Sequence, residues 1–497
     1  MRWPWPEGLA SPLFLGFCQE DTPLTGDEVR AAAARVVHWH RRFAPQFGRK
    51  EAREHSLRYL KGLLSDQPRK SVEPIALRFA RHRDGGPATQ NEVVAMQGFI
   101  TVSPWEAGGV FAEIQAVFAE ELLPTTAACS IGAVGVIDES GFVKSGQESV
   151  GTEVQWCGRL GKTANCQVGV FLIGVTPGGT AMLDAQLFLP EEWIRDRRRR
   201  QKTRVPAGLK FQSKPGIAAE MIRRTRAAGK VAFAWITGDE LYGASGEFLD
   251  AMEAIEQRYL VEVRKNTLLW RVDPATLPGA TPGPKRRKEV GSYHYTEVQS
   301  VAEIAASLPG DSWRLLKLRE GAKGPLVLEF AALRGWAMRH SRPGPPMWLL
   351  IRRSLEKAPE VKYYVSNAGE ELPWQQLALV SGARFRVEEY FEEGKMHLGM
   401  ADYETRSWSS WHHHMSLVAL AHLYVTLTKG EIKKDVPELT LDMALGLLRS
   451  AFARPQLSEE DAIHLVQYHL KRNRTARQSH CKTWLQKHKR IKPEVLL

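Results

Sequence analysis

The residues best placed to do chemistry are acidic. Asp138 closes the run Val136-Ile137-Asp138, Asp239 closes Trp235-Ile236-Thr237-Gly238-Asp239, and Glu388 lies between Arg384 and Lys395. Magnesium or manganese prefers oxygen ligands and keeps open positions for phosphate and water. A few converging carboxylates are therefore what phosphodiester cleavage by two such ions requires. Arg384, Glu388 and Lys395 are spaced by four and seven positions, which puts all three on one helical face. A carboxylate flanked by two cations suits a site where the acid holds metal and the bases grip phosphate. Glu389 falls about 100° around such a helix, and Glu392 shares the face one turn further on. A lone aspartate at a strand end is commonly a turn former or cap, and a glutamate run is commonly a solvated helix surface. It is the joint occurrence of the three that points to a site. His412-His413-His414 is set aside, because adjacent histidines diverge on a helix and hard ions favour carboxylates.

These residues must be positioned by a sheet. Ser130 to Asp138 reads as a buried strand, the stretch from Gly158 to Gly174 contains a second, and Thr180 to Leu189 reads as a third, with Pro177-Gly178-Gly179 turning between the last two. Pro215 opens a helix through Ala228, Val231 to Thr237 is a fourth apolar run, Ser245 to Gln257 a helix, and Tyr259 to Arg264 a strand. This order is that of a ribonuclease-H-like mixed sheet. In it the first and fourth strands are neighbours, so Asp138 and Asp239 should meet at or just past their ends. From Thr267 to Arg353 the chain is rich in Pro and Gly and then in strands (Trp313 to Leu318, Leu326 to Phe330, Trp348 to Ile351), which suggests a β-rich insertion.

Helical patterns occupy both ends: Gly26 to Trp105 at one, and Trp374 to Gly399, His413 to Thr428 and Leu439 to Phe452 towards the other. Ser458 before Glu459, Glu460 and Asp461 is a helix N-cap signal. The expected division is a helical DNA-binding region 1–110, a catalytic domain in two parts at 125–266 and 356–430, the insertion 267–355, and a basic helical region 431–497. The 497 residues carry a formal net charge of +12, with clusters at Arg197 to Arg200, Lys285-Arg286-Arg287-Lys288, and Lys471 to Lys492 around Trp484. Polyanions are the natural partners of such a surface. No apolar run approaches the roughly 20 residues of a membrane span, and the start lacks a signal-peptide layout, so a cytoplasmic protein is expected. Five scattered cysteines without a Cys-x-x-Cys pair read as free thiols.

The blocks Val136-Ile137-Asp138-Glu139-Ser140-Gly141-Phe142-Val143-Lys144 and Trp235-Ile236-Thr237-Gly238-Asp239-Glu240-Leu241-Tyr242-Gly243, with the Arg-x3-Glu-x6-Lys signature at Arg384, Glu388 and Lys395, resemble bacterial insertion-sequence transposases of the DDE class, in particular the insertion sequence 701 family. Tyr59-Leu60-Lys61-Gly62-Leu63-Leu64, Arg69-Lys70-Ser71, Cys166 to Phe171, Leu189-Pro190-Glu191-Glu192-Trp193, Gly399 to Tyr403 and His414 extend the similarity over about residues 50–425. Ser381 departs from the signature, which has tyrosine three positions before the arginine. The resemblance implies an α/β fold: a ribonuclease-H-like mixed sheet flanked by helices, interrupted by a β-rich insertion, with helical terminal regions. It implies Asp138, Asp239 and Glu388 as ligands of two Mg²⁺ (or Mn²⁺) ions, with Arg384 and Lys395 on DNA phosphates. It further implies cut-and-paste movement of double-stranded DNA ending in inverted repeats, performed by a homodimer in a synaptic complex. The alternatives are a catalytically inactive or domesticated DNA-binding protein on the same scaffold, and a two-carboxylate glycosidase, which would need neither the flanking cations nor the basic charge.

Overall fold

A computed structural model describes residues 26–80, 88–277, 297–319, 326–432, 439–451 and 459–487. The basic cluster at 285–288, Cys18 and the cap residue Ser458 lie outside them. Among the described residues five α-helices come first: α1 (Gly26–Phe43), α2 (Lys50–Leu64), α3 (Val72–Phe79), α4 (Gln90–Thr101) and α5 (Ala107–Val117). Then follow β1 (Val134–Val143), β2 (Glu153–Cys157), β3 (Lys162–Thr176), β4 (Gly179–Leu187), α6 (Glu191–Arg195), α7 (Arg197–Lys202), α8 (Lys214–Ala227), β5 (Trp235–Gly238), α9 (Glu240–Gly243), α10 (Gly246–Ala254) and β6 (Tyr259–Val263). The next segment supplies β7 (Leu268–Trp270), β8 (Gln299–Ser300), α11 (Val301–Ser307), β9 (Arg314–Arg319), β10 (Leu326–Arg339), β11 (Arg342–Arg353) and β12 (Val361–Ser366). The chain continues through α12 (Trp374–Ala383), α13 (Phe385–His397), α14 (Trp408–Ile432), α15 (Leu441–Ala451) and α16 (Glu459–Lys487).

All twelve strands of the described residues join one sheet in the order β2-β3-β1-β5-β6-β12-β11-β10-β7-β8, with β4 also on β3 and β9 also on β10. The mixed sheet flanked by helices is the architecture expected of the sequence. β1 runs antiparallel to β3 and parallel to β5, and β5 runs parallel to β6. The antiparallel β6–β12 pair joins these strands to β11, β10, β7 and β8, which continue the same sheet.

Several boundaries differ from the sequence-based expectation. β1 does not stop at Asp138 but runs on to Val143, paired with β3 throughout. What stops near Asp138 is β5, whose last pair with β1 is Ile137 with Gly238. The aspartate therefore sits where its strand loses one lateral neighbour. β2 is an addition to the expected strands, because Glu153–Cys157 alternates exposed and half-buried residues at a sheet edge and carries no apolar run. The helix expected over Trp374 to Gly399 is two helices that meet at Arg384.

Helix α14 is buried almost all round, against β4, α5, α2, α4 and α15, and so ties the amino-terminal helices to the sheet. Its histidines are structural. His413 bonds the carbonyls of Ile100 and Trp105, and His414 bonds the Tyr59 hydroxyl at 2.8 Å and the Gly399 carbonyl at 3.1 Å. Among the described residues no helix is long and apolar enough to cross a membrane, and Cys129, Cys157, Cys166 and Cys481 are free thiols.

Candidate active site

The motif around Asp239 is explained by its backbone. β5 ends at Gly238, and the short helix α9 begins at once, with Asp239 as its N-cap accepting a hydrogen bond from Leu241 N at 2.9 Å. A Cβ on Gly243 would lie 2.0 Å from the Glu262 carbonyl oxygen, so only glycine lets α9 settle on β6. Tyr242 then packs beside Gly238, and its hydroxyl donates to Glu139 Oε2 at 3.1 Å. Asp239 is thus a helix cap and a member of the cleft at once.

Asp138, Glu139 and Asp239 present oxygens that all lie within 4.8 Å of one another. Glu139 has no distinguishing signal in the sequence, since consecutive strand residues should face opposite ways. Here it is drawn to the cluster by Tyr242 and by Lys214, whose ammonium donates to Oε1 at 3.1 Å. Asp138 Oδ1 accepts from Glu139 N at 2.8 Å. Burial, opposed by Arg384 and reinforced by Asp239 and Glu139, pushes the Asp138 carboxyl up to about 7. Burial and the neighbouring Glu139 push Asp239 up to about 6. Two buried aspartates this close resist simultaneous ionisation without compensating cations.

A cleft of about 540 Å³ opens over the cluster, and Asp138, Asp239, Arg384, Glu388 and Lys395 all line it. The structure therefore brings the five sequence-predicted residues to one place, with Glu388 exposed and outside the tight trio. The other glutamates of α13 divide by face. Glu392 lines the cleft, Glu389 pairs with Arg319 at 2.5 Å, and Glu393 meets His422 at 3.1 Å.

The two cations are engaged by the protein itself. Arg384 Nη1 donates to Glu262 Oε2 at 2.9 Å, and Nη2 lies 4.0 Å from Asp138 Oδ2. Burial lowers the basicity of this guanidinium, but Asp138, Glu262 and Asp239 more than offset that, so its pKa is raised. Lys395 Nζ donates to Ser140 Oγ at 2.6 Å, two residues beyond Asp138 on the same strand face. Trp156 of β2 also lines the cleft and stays 58% exposed, an unusual position for a tryptophan and one with no signal in the sequence. The arginine run at α7 is less available to a polyanion than its charge suggests. Arg199 stacks on Trp193 at 3.8 Å and bonds the Thr152 carbonyl, and Arg200 bonds the carbonyls of Ile194, Pro206, Ala207 and Leu209.

The arrangement can bind hard cations on the floor of an open cleft. Comparison with known proteins agrees. The chain is similar to the probable transposase for insertion sequence element IS701 of Microchaete diplosiphon, 30% identical over 206 residues, which cover 41% of this chain and 47% of that protein. The chain thus matches about half the length of that relative. The family described as DDE superfamily endonuclease matches residues 42–325, more than half of the chain and including Asp138, Glu139 and Asp239, and the protein belongs to that family.

Proposed function

We propose that the protein is a DNA transposase that cuts the ends of a mobile element and joins them to target DNA. The observation that carries this reading is the meeting of Asp138, in β1 where its pairing with the parallel strand β5 ends, and Asp239, just past the end of β5, under a cleft that Glu388 also lines. The residues fit a pair of divalent cations: a carboxylate-only donor set, partly buried, with pKa values raised in the metal-free state. Two bound Mg²⁺ or Mn²⁺ ions would activate a water or a 3′ hydroxyl and stabilise the leaving oxygen of an in-line displacement at phosphorus. Asp138 and Asp239 would hold the cations, and Glu388 would add a carboxylate from α13. Arg384 and Lys395, on either side of Glu388, set phosphates in the trench and position DNA without reading its sequence. The helical region 1–110 and the basic region 431–497 supply recognition of the inverted repeats and general grip. Two copies acting in a synaptic complex would make the movement cut-and-paste.

The test is cleavage of end-labelled DNA from the element's flanks in Mg²⁺. Asp138→Asn, Asp239→Asn and Glu388→Gln should each lose cleavage by at least about a thousandfold, as expected when a metal-ligand charge is removed, while DNA binding persists. Binding without cleavage by the unaltered protein would favour the non-catalytic scaffold instead. Full activity of any one variant would remove that residue from the site.

A further inference from the structure

Glu262 is buried on β6, beside the strand that leads to Asp239, and belongs to no motif. Its two oxygens serve different cations. Oε1 accepts from Lys362 Nζ of β12 at 2.7 Å, and Oε2 accepts from Arg384 Nη1 at 2.9 Å. The other arm of Arg384 reaches Asp138 only at 4.0 Å, and its buried Nε has no hydrogen-bond partner. One guanidinium is thus shared between two carboxylates, firmly by Glu262 and loosely by Asp138.

We propose that Glu262 is a positioning residue that anchors Arg384 by one arm, so that the other arm is a provisional counter-ion of Asp138, given up when a divalent cation arrives. The inference rests on the reading of Asp138 and Asp239 as the metal site. Without metal, the packed carboxylates need a cation nearby, because an uncompensated buried charge is strongly unfavourable. If Arg384 lay fully on Asp138 it would repel an incoming divalent ion and occupy a ligand oxygen. The shorter bond to Glu262 holds it back from that position. Lys362 competes for Glu262, and so sets how strongly the anchor pulls. Once released from Asp138, Nη2 is turned towards the trench, where a phosphate can take it.

The experiment is binding of Mn²⁺ alone to the full-length, DNA-free protein, followed by electron paramagnetic resonance. If the unaltered protein and Asp138→Asn bind Mn²⁺ equally, the metal-site reading itself fails. If Asp138→Asn abolishes binding, the anchor can be judged. Glu262→Gln should weaken Mn²⁺ binding by about tenfold, since Arg384 then collapses onto Asp138, an effect within the coupling range of contacting charged residues. In an Arg384→Gln background the same substitution should change nothing. An equal loss in both backgrounds would mean that Glu262 acts only as a distant negative charge, and would overturn the proposal, as would no loss in either. Should Glu262→Gln fail to melt cooperatively, Lys362→Met becomes the deciding variant. It should tighten Mn²⁺ binding when Arg384 is present and have no effect when it is glutamine. No tightening with Arg384 present overturns the proposal.

Discussion

Four glutamates crowd α13, and their partners separate them. Glu389 and Glu393 are occupied by Arg319 and His422 on the far side of the helix, whereas Glu388 and Glu392 face the cleft. Glu389→Gln and Glu393→Gln should therefore keep most of their cleavage activity where Glu388→Gln loses it. An inactive Glu389→Gln that still melts normally would point the assignment elsewhere. The helical spacing of Arg384, Glu388 and Lys395 makes this face legible in the sequence. Glu139, Glu262 and Trp156 are not legible there, since they act through lateral neighbours that only the sheet brings near. Buried histidines yield a second residue-scale expectation. Burial lowers His40 and His414 from 6.5 to about 4, so between those values the unfolded chain binds more protons than the folded one. Stability is then intact above about pH 6.5 and falls as the pH drops towards 4, by up to about 3 kcal/mol per histidine. Thermal melts across that window should show the fall, with a shallower slope in His414→Gln. An equal slope would mean that other groups govern acid sensitivity.

At the scale of elements, the β10–β11 hairpin shows what pattern reading misses. Arg339 pairs with Arg342, and the two residues between them, His340 and Ser341, both have positive φ, at 49° and 60°. Such two-residue turns usually declare themselves by Asn-Gly or Asp-Gly. Here the strain is offset from outside: His340 meets Asp250 at 2.7 Å, and Arg339 bonds Asp250, Glu253 and the Tyr259 hydroxyl. The turn is held by α10 rather than by its own residues, so it leaves no local signal. Arg339→Met should lower stability by about 1–2 kcal/mol, less than a fully buried ion pair, because Asp250 and Glu253 stay partly solvated. Urea melts would measure it, and a change under about 0.5 kcal/mol would show that the hairpin stands without its anchor. Strands with apolar runs, such as Val231 to Thr237 and Tyr259 to Arg264, are readable in kind because burial on both faces leaves a continuous signature. The ends of the first are not, because β5 stops at Gly238 where α9 starts and begins only where β1 offers a partner, whereas those of the second agree to within one residue.

For the whole molecule, the +12 charge sets the expected behaviour towards DNA. Lys471, Arg474, Arg477 and Lys482 are exposed on α16, with Arg472 tied to Glu73 on α3. Truncation after Leu470 should flatten the slope of log affinity against log salt by about one for each phosphate no longer neutralised. A slope unchanged by truncation would make α16 a bystander. The sheet has a different consequence, in time. β5 must find β1 and β12 must find β6, each across about a hundred residues of chain, and α13 comes later still. Pairings between such remote segments are slow, because a large loop must close before any pairing rewards it. While a ribosome is still producing the chain, Asp138 and Asp239 can settle side by side well before Arg384 and Glu388 exist. The nascent polypeptide therefore holds an unpaired β6 edge until β12 has emerged, and the two aspartates sit together before the helix that would complete the proposed site has been made.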